Sequence, residues 1–255
     1  FWGGVAGGAM LSSLFYIRHG GSQYADNTLI LTMTATLITL ALAIEAELAA
    51  ERHRWLIVVG AAAGCAAWTK NEGLLFAVFV GVVAAAVSLR GGLRQSVRAA
   101  VRVAIGAAPF AAALLIHKAA LAASTTDLLQ QDGWGVTGAR LADGERYAAV
   151  GRAAYSAWSL IGNPLSVVLL LAAAVAAYGR GTTRFAAAAA VLVVTLLQVV
   201  SYATVYLALS PQLIWHLQES SDRTALHLWP CVVAGLALLL PAPTRPASTS
   251  LREAE

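Results

Sequence analysis

The chain has 255 residues, of which 59% are hydrophobic and only 12% are charged, and its mean hydropathy is +0.71. A soluble domain carries about twice this charged fraction, so the composition excludes an ordinary soluble protein and predicts a membrane protein. The formal net charge of +4 would suit nucleic acid. However, no run of Lys and Arg alternates with aromatic residues as nucleic-acid grooves require, so we expect no nucleic-acid partner.

Hydrophobic stretches that approach the roughly 20 residues needed to cross a bilayer recur along the whole chain. They predict an all-α, polytopic bundle of about eight transmembrane helices, in which two short neighbours could form a hairpin whose polar tip is buried in protein. The predicted spans are 1–17, 28–49, 55–69, 74–89, 103–121, 155–178, 185–208 and 227–242. Because the first begins inside a hydrophobic run without an initiator Met, we expect an internal or C-terminal fragment of a longer protein.

Basic residues collect in alternate connections between these spans. The connections 51–54, 90–102 and 180–184 are short, rich in Arg and free of Asp, which predicts that they are cytoplasmic, together with a tail at 243–255. All five Asp residues fall in the other connections. The predicted non-cytoplasmic segments are 18–27, 70–73, 122–154 and 210–223.

Residues 122–154 form the longest polar connection, which we assign as an external loop within a transmembrane domain that covers 1–242. Its later part continues into a helix predicted to lie at the membrane interface, because Tyr147, Tyr155 and Trp158 match an aromatic belt.

Ionisable groups near membrane depth are costly and are therefore candidates for function. Tyr24, Asp26 and Asn27 precede the second span, where they either cap a helix or contact a substrate. His117 and Lys118 end another span, and snorkelling explains the lysine.

The stretch WTKNEGLLF places Lys70 and Glu72 between two aliphatic runs. It is either a tight turn with a local ion pair or a site at which Lys70, kept charged by Glu72, binds a phosphate.

The late segment WHLQESSDRTALHLWP is either an interfacial helix with solvated charges or an anion site. On a helix, His216, Ser220, Arg223 and His227 share one stripe. In the second interpretation Arg223 binds a phosphate and Asp222 holds the arginine in place.

Several chemistries have no basis in the sequence, because it contains no HExxH, GxSxG, CxxC or GxxxxGK[ST] motif. We therefore expect no metal site and no cofactor, although a divalent metal stays open. Lys and Arg beside carboxylates suit a donor that is already activated as a lipid phosphate, because the leaving phosphate then needs only cations.

Three segments resemble the GT-C superfamily of membrane glycosyltransferases, namely QYADNTLILTMTATLITLAL, GAAAGCAAWTKNEGLLFAV and YLALSPQLIWHLQESSDRTALHLWP. The resemblance is to bacterial relatives of the protein O-mannosyltransferases and aminoarabinose transferases. It implies a multi-pass enzyme of the bacterial plasma membrane that moves a hexose from a polyprenyl-phosphate donor to an acceptor outside the cytoplasm. The substrate-binding residues that it implies are Tyr24, Asp26, Lys70, Glu72, His216, Asp222 and Arg223.

The family's catalytic acidic residue lies in the first external loop, which we expect upstream of residue 1, so no catalytic base is assigned. Two other functions remain open, a secondary transporter or flippase for an anionic lipid or sugar and an inactive scaffold. A transporter would place its ionisable residues near the bilayer midplane, often in repeated halves. Here they gather at one face of the membrane, and the sequence shows no internal repeat.

Overall fold

A computed structural model describes residues 25–121, 134–161 and 184–239, which form helices joined by short connections, with no strand among them. The helices are α1 (Ala25–Glu45), α2 (Ala49–Thr69), α3 (Asn71–Ser88), α4 (Leu93–Leu121), α5 (Trp134–Ala142), α6 (Gly144–Ile161), α7 (Phe185–Thr204) and α8 (Leu213–Leu239). A 3₁₀ turn, Leu89–Gly91, follows α3, and a π-helical turn, Val205–Leu209, follows α7. The predicted all-α class is confirmed.

Four stretches of the described residues are long and apolar enough to cross a membrane, namely Ala25–Glu45, Asn71–Gly91, Leu93–Ala120 and Phe185–Leu209. The predicted span 55–69 lies inside α2, and residues 227–239 of the last predicted span lie inside α8; both helices begin well before these spans. The first predicted span, residues 162–178 of the sixth, residues 240–242 of the last and the tail 243–255 lie outside the described residues. The count of eight spans therefore stays a prediction.

The main hydrophobic core lies between α1, α2, α3 and α7. On α1 it is formed by Leu29, Met33, Leu37 and Leu40, which are fully buried and recur every three or four residues. This spacing keeps one stripe of a helix against its neighbours. The opposite stripe of α1 exposes large apolar side chains such as Leu31 and Ile38, as expected for a surface that faces lipid.

Small residues allow α2 and α4 to cross in close contact. A Cβ atom on Gly60 would lie 2.0 Å from the carbonyl oxygen of Val103, and one on Gly106 would lie 2.0 Å from that of Ile57. A Cβ on Gly64, one turn after Gly60, would lie 2.9 Å from the Cα of Ala107. Membrane helices approach in this way because they gain little from burying apolar surface and depend on close packing.

The predicted hairpin is formed by α2 and α3, and only Lys70 separates the two helices. Its backbone is extended, with φ −155° and ψ 158°, whereas Thr69 and Asn71 are helical. Gly73 makes the sharp turn possible, because its N–H donates to the Lys70 carbonyl at 3.0 Å and a Cβ there would lie 2.0 Å from the carbonyl oxygen of Ala66. Lys70 therefore stands alone at the tip between two packed helix ends.

The predicted interfacial helix corresponds to α6, which packs along α8. Trp158 of α6 meets Trp229 of α8 edge to face, with ring centroids 6.1 Å apart. Tyr147 and Tyr155 remain exposed on the outer side of α6.

Candidate functional site

Three distant parts of the chain meet at one end of the bundle. They are the first turn of α1, the tip between α2 and α3, and the first half of α8. The sequence predicts that this end faces away from the cytoplasm. Because α1 runs antiparallel to α2 and in the same direction as α8, the start of α1 lies beside both, which brings Asp26, Lys70 and Arg223 together there.

The centre of the site is the carboxylate of Asp26, whose side chain is 3% exposed. Its Oδ1 accepts hydrogen bonds from Lys70 Nζ at 2.5 Å and from His227 Nε2 at 2.8 Å. Its Oδ2 accepts from two nitrogens of Arg223, at 2.9 Å from Nε and 2.7 Å from Nη2. A buried carboxylate is stable only with such charged partners, since its desolvation is otherwise costly.

A second chain of hydrogen bonds extends from Asp26 into the bundle. His227 uses Nε2 toward Asp26, and its Nδ1 lies 3.1 Å from the hydroxyl of Tyr202 on α7. An ionised carboxylate can only accept, so Nε2 carries a proton. If His227 is neutral and the Tyr202 hydroxyl donates to its Nδ1, then Asp26, His227 and Tyr202 each have a matching hydrogen-bond partner. Both side chains are buried.

Four residues after Tyr202, Tyr206 of the π-helical turn connects the site to the start of α8. Its hydroxyl lies 2.9 Å from Ser220 Oγ and 3.3 Å from Thr224 Oγ1. His216 packs edge-on against the Tyr206 ring at 5.3 Å, and its Nδ1 lies 3.2 Å from Ser210 Oγ. Tyr206 therefore fixes the α8 turn that precedes Arg223 and His227.

The π-helical turn that carries Tyr206 is held by an arginine of α6. Arg146 donates to the carbonyl oxygens of Tyr206, Leu207 and Ser210 at distances between 2.7 and 3.0 Å. These carbonyls lack regular helical partners at the helix end, and a cation is favoured there. Burial lowers the pKa of Arg146, but from so high a value that it stays protonated.

Glu72 has a different position from the one predicted. The salt bridge of Lys70 is with Asp26 and not with its sequence neighbour Glu72, so the predicted local ion pair is wrong. The backbone carbonyl of Glu72 accepts a hydrogen bond from the amide of Gln198 at 3.2 Å, which fixes the start of α3 against α7.

Asp222 and His216 also lie away from the Asp26 carboxylate. The Asp222 side chain accepts a hydrogen bond from the backbone N–H of Arg223 at 2.8 Å and lines a surface groove between α6 and α8. The carboxylate that holds the Arg223 guanidinium is Asp26, where the sequence analysis had assigned Asp222. Tyr24 lies outside the described residues.

Tyr202 belongs to the site but was not predicted, and His227 was predicted to share a stripe with Arg223 but was not among the predicted substrate-binding residues. The four-residue spacing of Arg223 and His227 on α8 was the available signal, since it places both side chains on one face. Tyr202 carried no signal, because it lies in an apolar run of α7. Among the described residues, no group of three or more His, Cys, Asp or Glu side chains is placed to hold a metal ion.

Residues 5–122 match the family described as dolichyl-phosphate-mannose-protein mannosyltransferase. The matched region contains Asp26 and Lys70, whereas Arg223 and His227 lie beyond it. No curated protein and no solved structure matches the chain. The family match, over slightly less than half of the chain, supports a membrane glycosyltransferase of the GT-C type, and the apolar helices support a multi-pass membrane protein.

Proposed function

We propose that this protein transfers a sugar from a polyprenyl-phosphate donor to an acceptor on the non-cytoplasmic face of the membrane. Lys70 and Arg223 bind the donor phosphate, and Asp26 holds both cations in position. The observation that carries the proposal is that these two cations, from distant parts of the chain, share one carboxylate.

The charge balance of the cluster favours an anionic ligand. Lys70 and Arg223 each bring one positive charge, while Asp26 brings one negative charge and a neutral His227 brings none. The directly bonded groups therefore carry one positive charge in excess. The side chains of Lys70 and Arg223 are 21% and 38% exposed, so a ligand at the protein surface can contact both, although the carboxylate between them is buried.

The transfer itself needs little beyond these cations. The bond between the anomeric carbon of the sugar and the phosphate oxygen breaks, and the acceptor oxygen forms the new bond to that carbon. The polyprenyl phosphate leaves with an additional negative charge, which nearby cations stabilise most strongly in a site that excludes water. The proton of the acceptor goes to a general base that we do not assign to a residue of this chain.

Asp26 is poorly suited to be that base. Both of its oxygens already accept hydrogen bonds, and two of the donors are the basic side chains of Lys70 and Arg223. Taking a proton would break at least one of these bonds and neutralise the charge that holds them. We therefore assign Asp26 a positioning role.

The position of the cluster supports group transfer over transport. Asp26 is the second residue of α1, and Lys70 separates two helices at the same end of the bundle. A transporter would be expected to place its ionisable residues near the bilayer midplane.

Removing one cation should weaken donor binding. We expect Lys70→Ala or Arg223→Ala to lose about 1.5–3 kcal/mol of binding free energy for a polyprenyl phosphate, the scale of one charged hydrogen bond. Lys70→Arg should lose less, since it keeps the charge. Binding can be measured by titrating the purified protein in detergent with a polyprenyl phosphate, and transfer can be measured in membranes.

Lys118→Ala is the matched control, because Lys118 is an exposed lysine near the C-terminal end of α4. It should bind the polyprenyl phosphate like the unaltered protein. A thermal unfolding curve for each variant separates loss of binding from loss of folding. If folded Lys70→Ala protein binds and transfers normally, Lys70 does not contact the phosphate.

Cysteine labelling can test on which side of the membrane the Asp26 site lies. In a background without Cys65 and Cys231, a cysteine at the exposed Asn71 should react with an impermeant thiol reagent in intact cells. A cysteine at Ser96 should react only after permeabilisation, because the Arg-rich connection is predicted to be cytoplasmic. The reverse pattern would place the site on the cytoplasmic side.

A further inference from the structure

A cavity of about 330 Å³ lies at the end of the bundle opposite Asp26. It is enclosed by the last turn of α1, the first turns of α2, the end of α3 and the start of α4. Because α1 has 21 residues, it is about 30 Å long, which is close to the thickness of the hydrocarbon core of a bilayer. The cavity and the Asp26 site therefore lie at opposite membrane surfaces.

The lining of the cavity is amphipathic. Arg52 and Arg90 supply positive charge, and no acidic residue is among the lining residues. The Nη2 of Arg52 donates to the carbonyl oxygen of Ala46 at 2.9 Å, whereas its Nε is buried and has no hydrogen-bond partner among the described residues. A buried guanidinium N–H without a partner is costly, and an anionic oxygen would satisfy it.

The remaining wall of the cavity is largely aliphatic. It includes Leu40, Ile44, Leu56 and Val87, which continue from the core toward this end of the bundle. Such a wall suits a hydrocarbon chain better than a small hydrophilic ion. The cavity therefore combines a cationic end with an apolar surface.

Positive charge dominates the surroundings of the cavity as well. His53 stands next to Arg52, and burial together with the positive charges of Arg102 and Arg98 lowers its pKa, so it is neutral near pH 7. Three glutamates also lie at this end, namely Glu45, Glu47 and Glu51. Glu45 is 4.0 Å from Arg184 and is partly compensated by it, and the other two are outnumbered by Arg52, Arg54, Arg90, Arg94 and Arg98. An anion that enters the cavity therefore meets a net positive field.

We propose that this cavity binds an anionic phospholipid, with the phosphate of the headgroup on Arg52 and Arg90 and the acyl chain along the apolar wall. The site is separate from the proposed donor site and does not depend on the proposed transfer reaction. Bound lipid would tie α1, α2 and α3 together at the surface opposite the Asp26 cluster.

The experiment compares the protein in nanodiscs of phosphatidylcholine alone with nanodiscs that also contain phosphatidylglycerol. Native mass spectrometry after release counts the phosphatidylglycerol that remains bound. We expect the Arg52→Ala, Arg90→Ala double variant to bind it at least tenfold more weakly than the unaltered protein. The control is Arg54→Ala, Arg94→Ala, which removes the same charge from exposed positions at the same end.

Arg90→Glu provides a second test if the loss of Arg52 disturbs the connection between α1 and α2. Arg90 is exposed, so reversing its charge should weaken lipid binding while the thermal unfolding midpoint in phosphatidylcholine stays unchanged. If the two double variants lose phosphatidylglycerol binding equally, the lipid is attracted by the positive charge of this end in general, which would contradict the proposal. In a separate arm, inorganic phosphate is added to phosphatidylcholine nanodiscs. The lipid assignment would be overturned if inorganic phosphate raised the thermal unfolding midpoint as much as phosphatidylglycerol does and failed to raise it in the Arg52 and Arg90 double variant. The ligand would then be a soluble phosphate.

Discussion

Asp26→Ala should destabilise the bundle by about 3 kcal/mol, at the lower end of the range for a buried ion pair that loses one partner. The substitution leaves Lys70 and Arg223 close together without the carboxylate that both contact. It also leaves Nε2 of the buried His227 without its acceptor. We expect a loss at the lower end of the range because the side chains of Lys70 and Arg223 are partly exposed, so solvent can compensate part of their charge. Chemical unfolding in detergent micelles, followed by circular dichroism, measures the loss.

A double variant separates the charge effect from the loss of packing. If the two cations repel each other once Asp26 is absent, then adding Lys70→Ala to Asp26→Ala should cost less than the sum of the two single changes. Glu47→Ala, at an exposed position between α1 and α2, is the control and should be nearly neutral. Additive losses would mean that the three side chains are not energetically coupled.

Gly73→Ala should lower both stability and donor binding, although it adds a single methyl group. The new Cβ would lie 2.0 Å from the carbonyl oxygen of Ala66 and 2.4 Å from its carbon, so backbone atoms have to move. Overpacking of this kind costs about 1–3 kcal/mol. The first turn of α3 would separate from the last turn of α2, and Lys70 between them would leave Asp26. Thermal unfolding and titration with a polyprenyl phosphate report the two effects.

Gly81→Ala is the matched control on the same helix, because a Cβ at Gly81 meets nothing within 4 Å. Alanine favours a helix over glycine by about 1 kcal/mol, so this variant should be as stable as the unaltered protein or more so. If Gly73→Ala behaves like Gly81→Ala, the turn at Lys70 is more tolerant than its geometry indicates.

The convergence of Asp26, Lys70 and Arg223 could be predicted because charge placement and hydropathy act over the whole chain. The alternation of Arg-rich and Asp-containing connections assigns all three residues to one end of the bundle. The scarcity of cations at that end then makes Lys70 and Arg223 the candidates for a shared anion. Charge placement and hydropathy determine the end of the bundle at which the three residues lie, but not the distances between them.

The partners of these cations could not be read in the same way. The sequence suggested neighbours in the chain, so that Glu72 was paired with Lys70 and Asp222 with Arg223. In the structure, Lys70 is extended while Glu72 already lies in the first turn of α3, so the two backbones have different conformations. The carboxylate of Asp26 reaches the cations only because of how α1 packs against α2 and α8, and no local pattern encodes that packing.

The residues that α7 and the π-helical turn after it contribute to the site could not be predicted from the sequence either. Gln198, Tyr202 and Tyr206 follow one another at four-residue spacing, which is the spacing of a helix face, but they stand among aliphatic residues. Their partners on α3 and α8 depend on the depth at which α7 sits in the bundle. Hydropathy determines that α7 crosses the membrane, but it leaves the exact depth undetermined.

The close crossing of α2 and α4 has a consequence for biogenesis. Charged residues occupy the first turns of α2, and α2 is not among the four described stretches that are apolar and long enough to span alone. Yet α2 lies between α1, α3 and α4, and its glycine face fits only the backbone of α4. During synthesis α2 leaves the ribosome before that partner exists. We therefore expect α2 to stay near the translocon until α4 emerges, so that insertion of this region is completed as a group of helices.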